Sequence, residues 1–404
     1  MGIVKWSARR AVSVLATSLL LGALVSIGQG TAAGAASGAP IKLGVIGGFT
    51  GPLAGSVYAT PPAIHAWADY VNAHGGINGH KVDVIVEDDQ TNPGVATTEI
   101  NKLIEDHVIT IFDESDFDSD FAGVVAQHHI PIIPTNSSTV ASITNDNFFT
   151  AGPTIDSVPA AVAAAAKKVG ATKLGLLYCA ESPDCSQLVT PIRQAAQKVG
   201  ISLVYETSIS ATAPNFTAPC LAAEQAGAKT LFIGDAVPVL ESVARDCVTQ
   251  GYKPTLIGDD GAVAPAFAST PGWSNGMIAV QPNLPFSVRS TPAAKTMYAA
   301  FNKYEPGFVK NQNFNELAVE TWTAGLLFQA AAKAGKLGVH GAPTTTEVYN
   351  GLYSKAVNGT TLGGLVGPLH FTKGQITHNS CWFYMRTSHG KFTTPYGLKP
   401  DCLS

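Results

Sequence analysis

Short β-branched apolar runs recur along this chain from Ile41 onward, each followed by a longer amphipathic or alanine-rich stretch. Runs of this length bounded by Gly, Pro, Asn and Asp read as strands, and the stretches between them read as helices. The pattern predicts strands at 41–46, 82–86, 108–112 and 131–133, then a second series at 173–178, 202–205, 230–233, 255–257 and 277–280. Such alternation implies parallel sheets with helices on both faces. The segment Phe148 to Pro153 reads as a crossing between the two series. Residues around Gln281-Pro282 and Cys381 to Tyr384 read as the return crossings.

The opening unit is the most informative. Ile41 to Ile46 breaks at Gly47-Gly48 and Thr50-Gly51-Pro52, a helix follows, Gly75-Gly76 and Asn78-Gly79 stop it, and Val82 begins the next strand. That is a β-α-β unit whose first loop lets a ligand approach the backbone closely. Three pieces of it, TGPLAG, GGINGHKV and EDDQTNP, closely resemble the substrate-binding proteins of branched-chain amino acid ABC transporters, the Leu/Ile/Val-binding family. The resemblance covers nearly the whole chain after the first forty residues, ending in VGPLHF and a last hairpin. It implies a type I periplasmic-binding-protein fold, with two doubly wound α/β lobes joined by three crossings and a ligand cleft between them. The lobes are expected at 41–152 plus 282–382 and at 153–281 plus 383–404. The implied role is binding of a small solute, with no catalysis and no cofactor, by a monomer that delivers its ligand to a membrane permease.

Residues 1–40 read as a targeting segment and linker. Lys5, Arg9 and Arg10 precede an apolar run from Ala11 to Ile27, and small residues offer a cleavage site near Ala33 and Ala35. The run also approaches spanning length, so an uncleaved anchor is a second reading. The first cysteine is Cys179, which argues against a lipid-modified N-terminal cysteine and leaves a periplasmic, cell-surface or secreted location. The remaining length suits two lobes, and 46% hydrophobic residues supply a core for each. With a net charge of -4 and no clustered Lys or Arg, the chain has no footprint for nucleic acid.

Six cysteines in an exported chain ask to be paired, and six permit fifteen connectivities. The economical choice is local: Cys179 with Cys185, Cys220 with Cys247, and Cys381 with Cys402. Metal binding lacks the paired C-x-x-C spacing of zinc sites.

In doubly wound sheets, ligands bind beyond the carboxyl ends of the strands. The resemblance puts Ser115 where the family binds the ligand carboxylate, a task suited to a hydroxyl beside exposed helix N–H groups. Capping of its own helix is the plainer alternative for Ser115. Asn136, Ser137 and Ser138 lie in the next loop, where the family places carboxylate and ammonium contacts. Asp260, after a second-series strand, matches the acid that holds the α-ammonium. Relatives that bind aliphatic amino acids use three tyrosines, where this chain has Ser56, a residue within Ser182-Pro183-Asp184, and Ala236; Phe314 keeps an apolar contact. The side-chain pocket is therefore expected to be enlarged or reshaped, and the ligand is an amino acid or related carboxylate. Tyr58 is a candidate to replace one lost wall.

Enzyme signatures fail on context. Gly272-Trp273-Ser274-Asn275-Gly276 fits G-x-S-x-G but leads into a strand, whereas a nucleophile elbow runs from strand to helix. Asp116, Asp118 and Asp120 resemble a calcium loop, yet Phe121 stands where its glycine should be. Two functions remain: a solute-binding component of an ABC importer, or an extracellular ligand sensor of the same fold reporting to a signalling partner.

Overall fold

A computed structural model describes residues 38–51, 54–136, 139–181, 183–259, 263–273 and 276–403; for residues 183 and 184 it describes the backbone only. Of residues 1–40, which the sequence reads as a targeting segment and linker, residues 1–37 lie outside the described ones. The first strand, β1 (Gly38–Gly47), starts three residues before its apolar run, because the Gly38 N–H donates to Gly79 O at 3.2 Å and Gly38 pairs with His80.

Among the described residues twelve strands form two sheets. The first is wholly parallel, in the order β2 (His80–Asp88), β1, β3 (Ile111–Glu114), β4 (Ile132–Pro134). The second runs β11 (Lys391–Thr393), β10 (Cys381–Ser388), β9 (Met277–Gln281), β8 (Thr255–Gly258), β7 (Thr230–Gly234), β5 (Lys173–Cys179), β6 (Ser202–Ile209), with β12 (Asp401–Cys402) beside β10. From β6 to β9 this sheet is parallel, and β10 returns antiparallel. Every strand anticipated from the apolar runs is present. What the periodicity missed are the short β11 and β12, which hold by pairing to β10.

Helices α1 (Ala54–Val57), α2 (Thr60–Ala73), α3 (Pro93–Glu105) and α4 (Asp118–Gln127) follow strands of the first sheet. With the second sheet come α5 (Val158–Lys168), α6 (Pro183–Gln187), α7 (Val189–Lys198), α8 (Thr217–Gln225) and α9 (Val237–Thr249). After β9 the chain returns to the first sheet in α10 (Pro292–Tyr304), α11 (Leu317–Ala334) and α12 (Thr345–Leu352). On α11, thirteen of eighteen residues are buried, so its sequence shows apolar residues all round rather than a stripe. Its Gly325 leaves room for the Trp67 indole, which a Cβ there would meet at 2.5 Å.

Three chain crossings join the sheets side by side. Thr154 N–H donates to Asn379 O at 2.8 Å, Asn379 N–H donates to Thr154 Oγ1 at 3.2 Å, and Asn283 Nδ2 donates to Ala151 O at 3.3 Å. All six cysteines are paired as the sequence suggested, Cys179 with Cys185, Cys220 with Cys247 and Cys381 with Cys402. Among the described residues no helix is long and apolar enough to cross a membrane.

Candidate functional site

In each sheet the strand order reverses once, between β1 and β3 in the first and between β5 and β7 in the second. At such a reversal the loops diverge to opposite faces and leave a crevice beyond the strand ends. The two crevices face one another across a cavity of about 170 Å³. The first sheet contributes Ser56 and Val57 from α1, Asp116 after β3, Asn136 after β4 and Leu317 at the start of α11. The second contributes Tyr178 and Cys179 at the end of β5, Glu181, Cys185, Gly234 to Ala236 after β7, and Asp259 after β8.

The conspicuous motifs of the opening unit build the wall rather than line it. Asp88 accepts from Thr50 N at 3.1 Å and Thr50 Oγ1 at 2.6 Å, which fixes the loop after β1 to the end of β2. Burial pushes Asp88 up, but the hydrogen bonds from Thr50 and Gln90 outweigh it and hold the carboxyl below its ordinary value. Gly51 sits at φ 95°, and a Cβ there would come within 2.9 Å of Gln90 O, so this close approach of two loops requires glycine. Asn92 caps α3 by accepting from Gly94 N and Val95 N, with Pro93 opening the helix. EDDQTNP is thus a brace for the lip of the cleft.

Behind the loops lies a buried acidic layer. Glu114 Oε2 accepts from Thr60 Oγ1 at 2.8 Å and from Thr135 Oγ1 at 2.7 Å. Asp113 is pushed well above the carboxylate range by burial and by the neighbouring Asp118, Glu114 and Asp89. Asp89 is raised too, chiefly by burial, against the hydrogen bonds it accepts from Ser115 and Thr91. Two oxygens that line the cavity are buried without a hydrogen-bond partner among the described residues: the Ser56 hydroxyl and Asp235 Oδ2. Asn315 Nδ2 holds the Ser56 carbonyl at 2.5 Å, anchoring that residue to the start of α11. The Asp235 carboxyl is raised to about 7 by burial, with a smaller push from Glu181, while the Ala236 N–H opposes the shift. A buried polar atom left without a partner costs stability, so this pair is poised for a group that a ligand supplies.

The two sheets' elements also touch directly. Val263 N–H donates to Glu316 Oε1 at 3.4 Å, and a methyl group on Gly55 would lie 3.8 Å from Pro238 Cγ.

Of the residues singled out from sequence, Ser56, Asn136 and Ala236 come together around the cavity. Ser115 is buried one position before the lining residue Asp116; its hydroxyl donates to Asp89 Oδ2 at 2.6 Å and accepts from Phe117 N at 3.1 Å. Phe314 is fully buried, with ring centroids 5.1 Å from Phe308 and 6.3 Å from Phe286. Tyr58 packs toward Phe308 and accepts from Asn311 Nδ2 at 2.9 Å. Ser137, Ser138, Ser182, Asp260 and the G-x-S-x-G residues Ser274 and Asn275 lie outside the described residues. Sequence reasoning passed over Asp235, although the rule of strand carboxyl ends pointed to it: Gly234-Asp235-Ala236 stands between β7 and a proline-led helix just as Gly258-Asp259-Asp260 stands after β8. Asp118 and Asp120 occupy the first turn of α4, where acids complement the helix dipole. Among the described residues no group of His, Cys, Asp and Glu is arranged to hold a metal.

Two α/β sheets, one parallel and one parallel from β6 to β9, with three crossings between them and a cavity at both switch points, define the type I periplasmic-binding-protein fold, a trap for small molecules. The chain belongs to the periplasmic binding protein family, whose profile matches residues 40–391. It is 22% identical over 346 residues to the Leu/Ile/Val/Thr-binding protein of Salmonella typhimurium, an alignment covering 83% of this chain and 88% of the relative. Among solved structures it is similar to a branched-chain amino acid ABC transporter protein of Thermus thermophilus with bound valine, at TM-score 0.78 and 18% identity over 90% of this chain and 97% of that one. It is also similar to a fatty acid ABC transporter substrate-binding protein of Thermomonospora curvata, at TM-score 0.74 and 19% identity over 90% and 93%. These relatives are substrate-binding proteins, not enzymes, and so is this one.

Proposed function

We infer that this protein is the extracytoplasmic solute-binding component of an ABC importer, which captures an amino acid or related small carboxylate and presents it to a membrane permease. The observation that carries the reading is the cavity at the two switch points, with the Ser56 hydroxyl on one side and the Asp235 oxygen on the other, both without a hydrogen-bond partner among the described residues. Ser56, Asn136 and Asp235 are the proposed polar contacts. Ser137 and Ser138, which follow Asn136, and Asp260, which follows Asp259, are proposed with them. Ser115 and Phe314 are proposed to act from behind, by fixing the loop that carries Asp116 and the helix start that carries Leu317. These contacts suit either kind of ligand named for the relatives, an amino acid or a fatty acid.

Denaturing extraction of the purified protein followed by mass spectrometry tests the reading. A stoichiometric small acid or amino acid is the expected result, together with co-purification of the protein with its permease when the two are produced in one cell. Recovery of no small molecule, and no binding in a screen of amino and organic acids, would remove the solute-binding role. Association with a histidine kinase instead of a permease would favour the sensor.

A further inference from the structure

The cavity does not stop at the cleft. It continues into the second sheet's own core, where Ile155, Val158, Leu176, Leu188, Ile192 and Phe232 line it. These side chains come from one layer: Leu176 on β5 and Phe232 on β7 below, Val158 on α5 and Ile192 on α7 above, with Ile155 and Leu188 at the sides. Five of the six are at most 2% exposed. Protein interiors are packed as densely as organic crystals, and their few voids are seldom larger than a water molecule. An apolar void of roughly 150 Å³ stays dry and takes up benzene; this cavity is about 170 Å³ with its polar mouth included, and the part with this lining offers space for a hydrocarbon group and, among the described residues, no side chain that would hydrogen-bond water.

The polar atoms are all at the other end. Ser56, Asp116, Asn136, Tyr178, Asp235 and Asp259 surround the mouth, and Cys179, Glu181 and Cys185 form its rim, where the disulfide clamps the loop after β5. The site is therefore graded from polar at the sheet–sheet cleft to wholly apolar inside one lobe. Resting on the solute-binding reading above, we propose that the ligand is an amphiphile: its ionised head lies at the cleft, and an apolar tail is seated between the second sheet and helices α5 and α7.

The test is calorimetric titration of the full ligand-free chain with two probe series, straight-chain 2-amino acids and straight-chain carboxylates of about four to ten carbons, lengths chosen to bracket that void. In the series that binds, affinity should rise about fourfold per methylene, the factor for burying one CH₂, and level off once the void is filled. Leu188→Trp, at the half-buried side of the void, should lower the affinity of the longest bound member about tenfold or more while leaving the four-carbon member within about twofold. Ile192→Phe fills the depth of the void and should do the same, so failure of one variant to fold leaves the other to decide. An affinity that is flat or greatest at four carbons, or a chain-length dependence unmoved by the filling variants, overturns the tail seat and leaves the solute-binding role standing. Binding of no member in either series also overturns it, whereas the solute-binding role itself falls only with an empty mass-spectrometric extract and an empty screen.

Discussion

Ser115 Oγ donates a 2.6 Å hydrogen bond to Asp89 Oδ2, joining the start of the loop after β3 to the loop after β2. Both residues are buried, and Asp89 also accepts from Thr91 N at 2.7 Å. The bond therefore ties together two loops that stand behind the cleft. Ser115→Ala should leave a buried carboxyl short of one donor and lower stability by about 1–3 kcal/mol, measured by urea unfolding. A variant as stable as its parent but with ligand affinity lowered tenfold would show instead that the hydroxyl turns to the ligand.

This pair also marks how far the sequence could be read. The alternation of apolar runs gave nine strands within a few residues, because parallel strands buried on both faces advertise themselves as continuous Val, Ile and Leu. Cysteine spacing gave all three disulfides, since each links neighbours within one supersecondary unit. The sequence places Ser115 in the loop after β3, next to the lining residue Asp116, but not the direction of its hydroxyl, which depends on Asp89 arriving from another β-α unit. The apolar depth of the cavity was not legible at all. Ile192 and Phe232 carry the same signal as any core residue, and only the packing of α5 and α7 over the sheet decides that a gap is left between them.

The Cys220–Cys247 bridge links α8 to α9 and closes a separation of 27 residues. In the chain-entropy model a loop of this size contributes roughly 3–4 kcal/mol. Replacing both cysteines by alanine should remove about that much in denaturant unfolding, with the fold retained at ambient temperature. Non-reducing peptide mapping of the parent should recover three local links, and a link between the Cys179 and Cys220 regions would contradict the pairing.

The solute-binding reading predicts that the cleft closes on its ligand. Gly55 on α1 faces Pro238 on α9, the contact expected to limit that closure, and the hydrogen-bonded crossings at Thr154–Asn379 and Asn283–Ala151 are the expected pivots. Saturating ligand should lower the radius of gyration of the parent in small-angle scattering. Gly55→Trp places a large ring where the two helices meet, so it should abolish that change and weaken ligand binding about tenfold or more, with little loss of melting temperature. A variant that compacts as the parent does would move the closing contact elsewhere.

Asp235 makes the stability of the protein depend on pH in a definite direction. Its carboxyl is raised by burial from an ordinary 3.8 to about 7, with Glu181 adding repulsion and the Ala236 N–H opposing. Between these values the folded protein keeps a proton that the unfolded chain has lost. The native state then binds more protons than the unfolded state, so stability must fall as the pH rises through this window, by at most about 1.4 kcal/mol per pH unit. Below it Asp235 is protonated in both states and the penalty vanishes. Asp235→Asn mimics the protonated side chain at every pH, and its stability relative to the parent should be close to equal near pH 4 and should rise steadily toward pH 7. Urea unfolding of both proteins across that range gives the difference directly, free of the other titrating groups that the two share. A difference that stays constant with pH would mean that Asp235 is ionised throughout, and that its unpartnered oxygen is hydrated rather than held for a ligand.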